Sequence, residues 1–517
     1  MMEKAALRGS FWRKVIIGLV LVILSDVLLF DSGGGSVLGA YMGLWALGSL
    51  AAHRAGWRNG RALGAFGLSL ALAAAMAWDP SFLGAVLFDA MLMLAVLLPT
   101  IQGAGDGWYW FKRLAFHGVV APFNPLLDFN RFTKARARQG ERVSLTAMVP
   151  VLVLPVLGSL LFLILFAMAN PVISDFLNNI QIGGLEENDV VRAIFWGFMA
   201  IVIWSTLRPW RSKVAFRRLA DGTPGRIAGV SVASVILSLL MFNLLFALQN
   251  GLDLYYLWGD GALPAQFTFA EYAHRGAYPL VATALLAGLF IIITTHPKSE
   301  LAGNKAIRWL VILWIAQNLL LLASTVERTL LYVDAYSLTR LRIAALLWMG
   351  LVGVGLILVT WRMLAGRSLA WLVNGNVLAG FAMLAACTVV DVGAVAARWN
   401  VAHAEEVGGR GVNLDLCYLN QLDGSALLAL ASLEQRKDLP PMFQQRVTLV
   451  RQQVQQRLEN AQVQRGSWRW RDAQRLAEIR ALGLKDLSIP KGYFIACNGE
   501  LLPHGARYDE SIPYERY

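Results

Sequence analysis

The sequence has little charge and few cysteines, and it lacks the short motifs of the common enzyme classes. Only 15% of its 517 residues are Asp, Glu, Lys or Arg, against about a quarter in a typical soluble domain. Its three cysteines form no Cys-x-x-Cys pair, which excludes a zinc ribbon and a thioredoxin-type motif. The chain also has no phosphate-binding P-loop, no His-Glu-x-x-His helix and no nucleophile elbow. These absences favour a non-enzymatic role, and we expect no cofactor and no metal.

The sequence has instead a series of apolar runs, each long enough to cross a bilayer as a helix. We therefore predict an all-α fold, a polytopic transmembrane helical bundle of about eleven spans with a small C-terminal helical extracytoplasmic domain. The predicted spans are 15–30, 36–52, 62–78, 81–101, 143–169, 190–207, 227–248, 277–295, 309–326, 343–361 and 369–397.

The basic residues indicate the orientation of these spans. With the N-terminus inside, 25 of the 46 Lys and Arg fall in inner loops, 5 on the outer side and 16 in the tail, while the outer loop 170–189 has four acids and no base. Cytoplasmic loops carry this excess of Lys and Arg. The net charge of +12 is thus explained by topology, and we expect no nucleic acid partner. In the interfacial segment 102–142, the basic run either grips anionic lipid headgroups or only fixes the topology.

We predict two domains, a transmembrane bundle over 1–398 and an extracytoplasmic helical domain over 399–517. Helical periodicity covers 414–437 and 442–464, Ser467 can cap a third helix over 468–482, and the chain after Pro490 lacks a periodic pattern. Cys417 and Cys497 lie in this tail. In an oxidising compartment they either form a disulfide or stay as two unpaired thiols.

Several polar residues interrupt the apolar runs, where a charge is costly unless it faces the bundle interior or water. Asp26, Asp89 and Asp391 either form a proton or ion path, or make interhelical hydrogen bonds and lie near span ends. Asn374 and Asn376 can cap or kink a helix. The intramembrane polar residues are Asp26, Asp89, Asn243, Gln317, Asn318, Asn374, Asn376 and Asp391.

The outer loop 250–275 crowds ionisable side chains next to an apolar run. Glu271 and His274 lie three positions apart and would share one face of a helix. They either hold a metal or shuttle a proton, or they form hydrogen bonds with Arg275, with one another and with nearby backbone groups. Since no third Cys or His ligand is visible, we assign no metal site.

A second stretch, 327–342, has three arginines on the predicted outer side. Their long apolar stems let them lie at the interface, or they pair with acids of the 250–275 loop. The second alternative joins both stretches into one candidate outer-face polar cluster. Its residues are Asp253, Glu271, His274, Arg275, Glu327, Arg328, Asp334, Tyr336, Arg340 and Arg342.

Five motifs occur in order along the chain: Ala-Asn-Pro at 169–171, Leu-Arg-Pro-Trp at 207–210, LDLYYLWGDGALPAQFTFAEYAHRGAYPL at 252–280, ERTLLYVDAYSLTRLR at 327–342 and Trp-Asn-Val at 399–401. Together they resemble a bacterial multi-pass membrane family known as domain of unknown function 4173, with its 4153 relatives, over roughly 140–430. Such proteins often have Gly where this chain has Ser337, so we expect a less tight turn after Tyr336. The resemblance implies that 250–275 and 327–342 belong together, and it implies no activity.

Three functions remain open for a protein of the bacterial inner membrane with a cytoplasmic N-terminus and an extracytoplasmic tail. The first is an envelope scaffold, sensor or assembly partner that lies in the lipid bilayer and binds a membrane or envelope protein. The second is a small-molecule or ion transporter that uses the intramembrane Asp and Asn residues. The third is a membrane-embedded enzyme that uses Glu271 and His274.

Overall fold

The computed structural model describes residues 2–31, 34–100, 106–121, 187–209, 231–259, 304–464 and 466–504. These ranges fold into α-helices, with one short antiparallel hairpin. The chain divides into two compact units. The first contains Met1–Gly105, Tyr109–Phe216 and Gln464–Arg469, and the second contains Asp106–Trp108, Arg217–Val463 and Trp470–Tyr517.

Apolar helices build the first unit. They are α1 (Met2–Ser25), which continues as a π-helical turn (Asp26–Phe30), α2 (Val37–Ala52), α3 (Gly60–Trp78), α4 (Phe82–Leu97), α5 (Gly107–Val120, which belongs to this unit from Tyr109 onward) and α6 (Glu187–Leu207). Asn59 caps α3 and Ser81 caps α4 by accepting backbone amides. Helix α2 approaches α3 so closely that a Cβ at Gly39 would lie 2.0 Å from the Ala77 nitrogen. A glycine is therefore required at residue 39.

The described residues of the second unit include four long apolar helices: α7 (Val232–Tyr256), α8 (Lys305–Tyr336), α9 (Arg340–Ala365) and α10 (Leu369–Val389). Side-chain caps at Ser231, Asn304, Thr339 and Ser368 begin these helices, and Gly366 ends α9 in the left-handed conformation. Their shared core contains Leu239, Val311, Ile315, Leu356 and Leu372.

The tail adds α11 (Val392–His403), α12 (Leu416–Gln421), α13 (Leu427–Glu434), α14 (Pro441–Val463) and α15 (Trp470–Leu482). Strands β1 (Tyr493–Ile495) and β2 (Leu501–Pro503) pair antiparallel, with Phe494 opposite Leu502. The region after Pro490, which lacks a periodic pattern in the sequence, thus contains a hairpin. The tail helices share one apolar core with Val333, which lies near the end of α8, and with Leu338, in the turn after α8.

The last predicted span is interrupted in the structure. The sequence predicts a helix over 369–397, but α10 ends at Val389 and a new helix starts after Asp391. The Asp391 carboxylate accepts the Ala394 amide at 3.0 Å, which is an N-cap contact. The prediction of one continuous span over 369–397 was therefore wrong, whereas the placement of Asp391 near a span end agrees with its position two residues after α10.

The predicted all-α class is confirmed, and the apolar helices are consistent with an integral membrane protein. Within the described residues, six helices are long and apolar enough to cross a bilayer, namely Gly60–Trp78, Phe82–Thr100, Val232–Tyr256, Lys305–Tyr336, Arg340–Ala365 and Leu369–Val389. Val37–Ala52 and Val191–Leu207 are shorter apolar helices. Predicted spans 143–169 and 277–295 lie outside the described residues, so the count of eleven stays a prediction.

Candidate functional site

Asp253 on α7 and Arg328 on α8 form an ion pair in the protein interior. The exposed fraction of the side chain is 3% for Arg328 and 0% for Asp253. Gln249, one turn earlier on α7, donates its Nε2 to Asp253 Oδ1 at 2.9 Å. This is an ion pair of the kind proposed from the sequence, between an arginine of 327–342 and an acid of 250–275.

Amide side chains extend this contact along the same two helices. Asn243 donates its Nδ2 to the Leu310 carbonyl at 3.1 Å and accepts Gln317 Nε2 at 3.1 Å. Asn250 donates to the Gln317 carbonyl at 3.1 Å. Because later residues of α7 contact later residues of α8, the two helices run parallel. The amide contacts hold them in one register.

Three buried amide oxygens of this region have no hydrogen-bond partner among the described residues. They are Asn250 Oδ1, Gln317 Oε1 and Asn318 Oδ1. Asn318 is 0% exposed, and its Nδ2 donates to the Trp314 carbonyl at 2.8 Å. An unpaired buried acceptor costs free energy, so these oxygens can bind a cation or a water molecule.

Ser337 forms the turn between α8 and α9 with φ of 67°. This left-handed conformation favours glycine, which agrees with the Gly that the resemblance implies at this position. Buried Asn400 holds the turn, because its Oδ1 accepts the Leu338 amide at 2.7 Å and its Nδ2 donates to the Leu338 carbonyl at 2.9 Å. Arg342 donates to the Tyr336 carbonyl at 2.5 Å. The 327–342 stretch is therefore the end of α8, an ordered turn over 337–339 and the start of α9.

Arg340 joins this turn to the tail. Its backbone amide donates to the Tyr418 hydroxyl at 2.9 Å, and its NH2 donates to Ser425 Oγ at 3.3 Å. The guanidinium also lies against Gly393, where a Cβ would come within 2.6 Å of Arg340 NH2. The start of α9, the start of α11 and the α12–α13 region thus form one connected structure.

Asp391 makes a second junction, between α11 and α15. It accepts Ser425 Oγ at 2.9 Å and pairs with Arg475, while Arg471 NH1 lies 3.9 Å away. Burial raises the pKa of Asp391, but the Ala394 amide, the Arg475 guanidinium and the Ser425 hydroxyl lower it more. The pKa therefore falls below its ordinary value, and Asp391 remains an anion at neutral pH.

The tail has two further internal links. A disulfide connects Cys417 on α12 with Cys497 in the hairpin. Arg451, 1% exposed, donates to Glu434 at 2.8 Å and to Asp486 at 2.7 Å. The sequence reasoning missed Arg451, although it lies on the apolar face of α14, four residues after buried Val447.

A cavity of about 590 Å³ lies in the tail. We call it the apolar cleft. Leu414, Leu416, Met442 and Phe443 line it, and charged side chains stand around them. Its remaining lining residues are Glu405, Glu406, Asn413, Pro440, Pro441, Arg446 and Asn498.

In the first unit, Asp26 pairs with Arg192, whose Nε and NH2 donate at 2.7 and 2.5 Å, and it also accepts Trp196 Nε1 at 2.8 Å. Asp89 is exposed on the surface of α4. Asp391 lies at a helix start in the second unit, and a proton path through these three carboxylates stays a prediction.

Other candidate residues have separate surroundings. Asn374 Oδ1 accepts the Gly107 amide at 2.6 Å, and Asn376 donates to the Leu372 carbonyl one turn earlier at 2.9 Å. Asp334 is exposed, and Glu327 is half-buried. Glu271, His274 and Arg275 lie outside the described residues, so their role stays a prediction. Within the described ranges, no three His, Cys, Asp or Glu side chains are arranged for a metal ion.

Comparison with known proteins gives one match. The sequence model of the family described as "Domain of unknown function (DUF4153)" matches residues 63–433, which is more than half of the chain. This agrees with the kind of family inferred from the five motifs, and it does not confirm the 4173 label. No curated protein and no solved structure matches the chain.

Proposed function

The chain belongs to the DUF4153 family, and we propose that it is an integral membrane scaffold whose C-terminal region binds a second protein of the cell envelope. In this proposal the protein crosses the bacterial inner membrane about eleven times, with a cytoplasmic N-terminus and an extracytoplasmic tail. The parallel packing of α7 and α8 fits a span between them, as predicted for 277–295. A Cys417–Cys497 disulfide suits an oxidising compartment.

The apolar cleft is the observation that carries this proposal. Its volume of about 590 Å³ lies in the range of binding pockets that take apolar groups. Met442, on its lining, exposes 71% of its surface, and methionine adapts to varied apolar partners. Glu405, Glu406 and Arg446 supply charges of both signs on the lining. This combination suits an apolar side chain of a partner protein with polar neighbours.

The packing of the tail supports a scaffold. Asn400, Arg340 and Asp391 each bond directly to a neighbouring element. A partner bound at the cleft would therefore be held against the long helices of the second unit. Preorganised surfaces of this kind lose little entropy on binding.

Site-specific photocrosslinking in native membranes tests the proposal. A photoreactive residue replaces Met442 in one variant and Val463 in the control. Both lie on α14 and are highly exposed, 71% and 85%, but they stand roughly 30 Å apart along the helix. We expect one crosslinked protein from Met442, in near-stoichiometric yield, and none from Val463. Equal yields at both positions, or no product at Met442, would contradict the proposal.

A cation transporter is the second candidate, and the buried amide oxygens of Asn250, Gln317 and Asn318 favour it. Its test is sodium uptake by proteoliposomes that contain the full chain. Uptake that falls in the Asn250→Leu variant, while Asn374→Leu behaves as the parent, would support transport. Uptake equal to that of empty liposomes would exclude sodium transport by this site.

A further inference from the structure

A second cavity of the tail, about 240 Å³, has three arginines on its lining. We call it the arginine pocket. Arg398 comes from α11, and Arg471 and Arg475 come from α15. Two carboxylates, Asp391 and Glu478, share the lining, which leaves one excess positive charge. The remaining lining residues are Ala394, Ser425, Leu428, Ala429 and Gln474.

The carboxylate of Asp391, on the lining of the pocket, already has hydrogen-bond and ion-pair partners within the protein. It accepts the Ala394 amide and the Ser425 hydroxyl and pairs with Arg475, whose NH1 also contacts Asp472 at 2.9 Å. These contacts fix the Arg475 side chain, which is 11% exposed. Asp391 therefore orients arginine rather than attracting a cation into the pocket.

Arg398 has side-chain donors with no acceptor among the described residues. It is exposed, and its Nε donates to the Ala394 carbonyl at 3.3 Å. Its two terminal amino groups have no hydrogen-bond partner within the ranges that the structure describes. Two such groups in one plane match two oxygens of a phosphate.

The pocket lies where a membrane span ends. Arg471 donates its NH2 to the carbonyl of Val389 at 2.5 Å, and Val389 is the last residue of α10. Trp399 and Trp470, the sequence neighbours of Arg398 and Arg471, are 38% and 57% exposed. Exposed tryptophans at span ends are typical of the headgroup layer of a bilayer.

We propose that the arginine pocket binds a phosphate group, that of a phospholipid headgroup or of a small soluble phosphate ester. Its volume of about 240 Å³ is below the range for drug-sized ligands and suits a single headgroup. The phosphate contacts Arg398 and Arg471, with Arg475 held behind them by Asp391. The exposed Glu478 carboxylate lies on the same lining and is placed for the ammonium group of a zwitterionic headgroup. This site is separate from the apolar cleft and does not depend on the scaffold function.

Lipid and phosphate titrations of the full chain in detergent test this proposal. The probes are short-chain phosphatidylethanolamine, short-chain phosphatidylglycerol, diacylglycerol as the unphosphorylated lipid, glycerol phosphate and inorganic phosphate. Binding is followed by native mass spectrometry and by the shift in unfolding temperature. We expect binding of both phospholipids and not of diacylglycerol. Phosphate or glycerol phosphate that binds as well as the phospholipids would assign the site to a soluble ester.

Two arginine variants make the test specific. Arg398→Gln removes the terminal donors from the pocket, whereas Arg410→Gln removes an equally exposed arginine that is not on the lining. Because each charge-assisted hydrogen bond is strong, we expect Arg398→Gln to weaken phospholipid binding by about tenfold or more, and Arg410→Gln to bind as the parent. Equal affinities of the two variants, or no binding of any phosphorylated probe to the parent, would overturn the proposal. Neither result bears on crosslinking at Met442.

Discussion

Removing either partner of the buried Asp253–Arg328 pair is expected to destabilise the protein strongly. Both side chains are at most 3% exposed, so Arg328→Ala leaves the carboxylate of Asp253 without its main counter-charge in the interior. Breaking a buried pair in this way costs about 3–5 kcal/mol. The assay is thermal or denaturant unfolding of the purified chain in detergent.

The double variant separates the interaction energy of the pair from the cost of removing each side chain alone. The double variant, Asp253→Ala with Arg328→Ala, removes both charges and leaves neither one unpaired. Its loss of unfolding free energy should therefore fall short of the sum of the two single losses by about 2 kcal/mol or more. The exposed pair Arg436–Asp438, at 2.6 Å, is the matched control, and its variants should leave the midpoint unchanged. Strictly additive losses for the two buried substitutions would show that the Asp253–Arg328 contact does not stabilise the folded protein.

Three further predictions concern single contacts. Ser337→Gly should stabilise the chain by up to about 1 kcal/mol, because glycine relieves a positive φ. Replacing Cys417 and Cys497 by Ser should cost about 4 kcal/mol, since their bond closes a loop of 80 residues. Burial and the nearby Lys14 lower the pKa of His53 to about 4. The folded chain should thus lose stability as the pH falls from about 6.5 to 4, and His53→Gln should lose less.

Each of these predictions has its own measurement. Unfolding midpoints in detergent test the Ser337→Gly prediction. A lower midpoint in this variant would show that the turn needs a side chain at residue 337. For the disulfide, equal thiol labelling of the parent with and without reductant would refute the bond. For His53, midpoints between pH 7 and pH 4 that fall in parallel in parent and variant would show that this histidine does not titrate with unfolding.

The helical membrane class followed directly from the sequence, because apolar runs of span length have few other stable structures. The bounds of a helix were less predictable where a single side chain decides where the helix starts or ends. Asp391 lies within an apolar stretch, so periodicity extended the span through it. The structure ends the helix two residues earlier, because the Asp391 carboxylate caps α11.

The candidate site was predicted in part. Asp253 and Arg328 were both in the proposed cluster, since they are charges next to apolar runs. Asn400 was visible only as part of a motif, because nothing local shows that its amide reaches Leu338, 62 positions away. The arginine pocket was missed for the same reason. Its guanidiniums come from segments on either side of α14, and each segment alone resembles an ordinary charged helix.

The two hydrogen bonds between Asn400 and Leu338 form late in the biogenesis of the protein. They join the turn between α8 and α9 to an amide 62 residues downstream, so they can form only after α10 and the start of α11 have been synthesised. The contacts of Arg342 with the Tyr336 carbonyl and of Thr339 with the Arg342 amide are local to the turn and can form earlier.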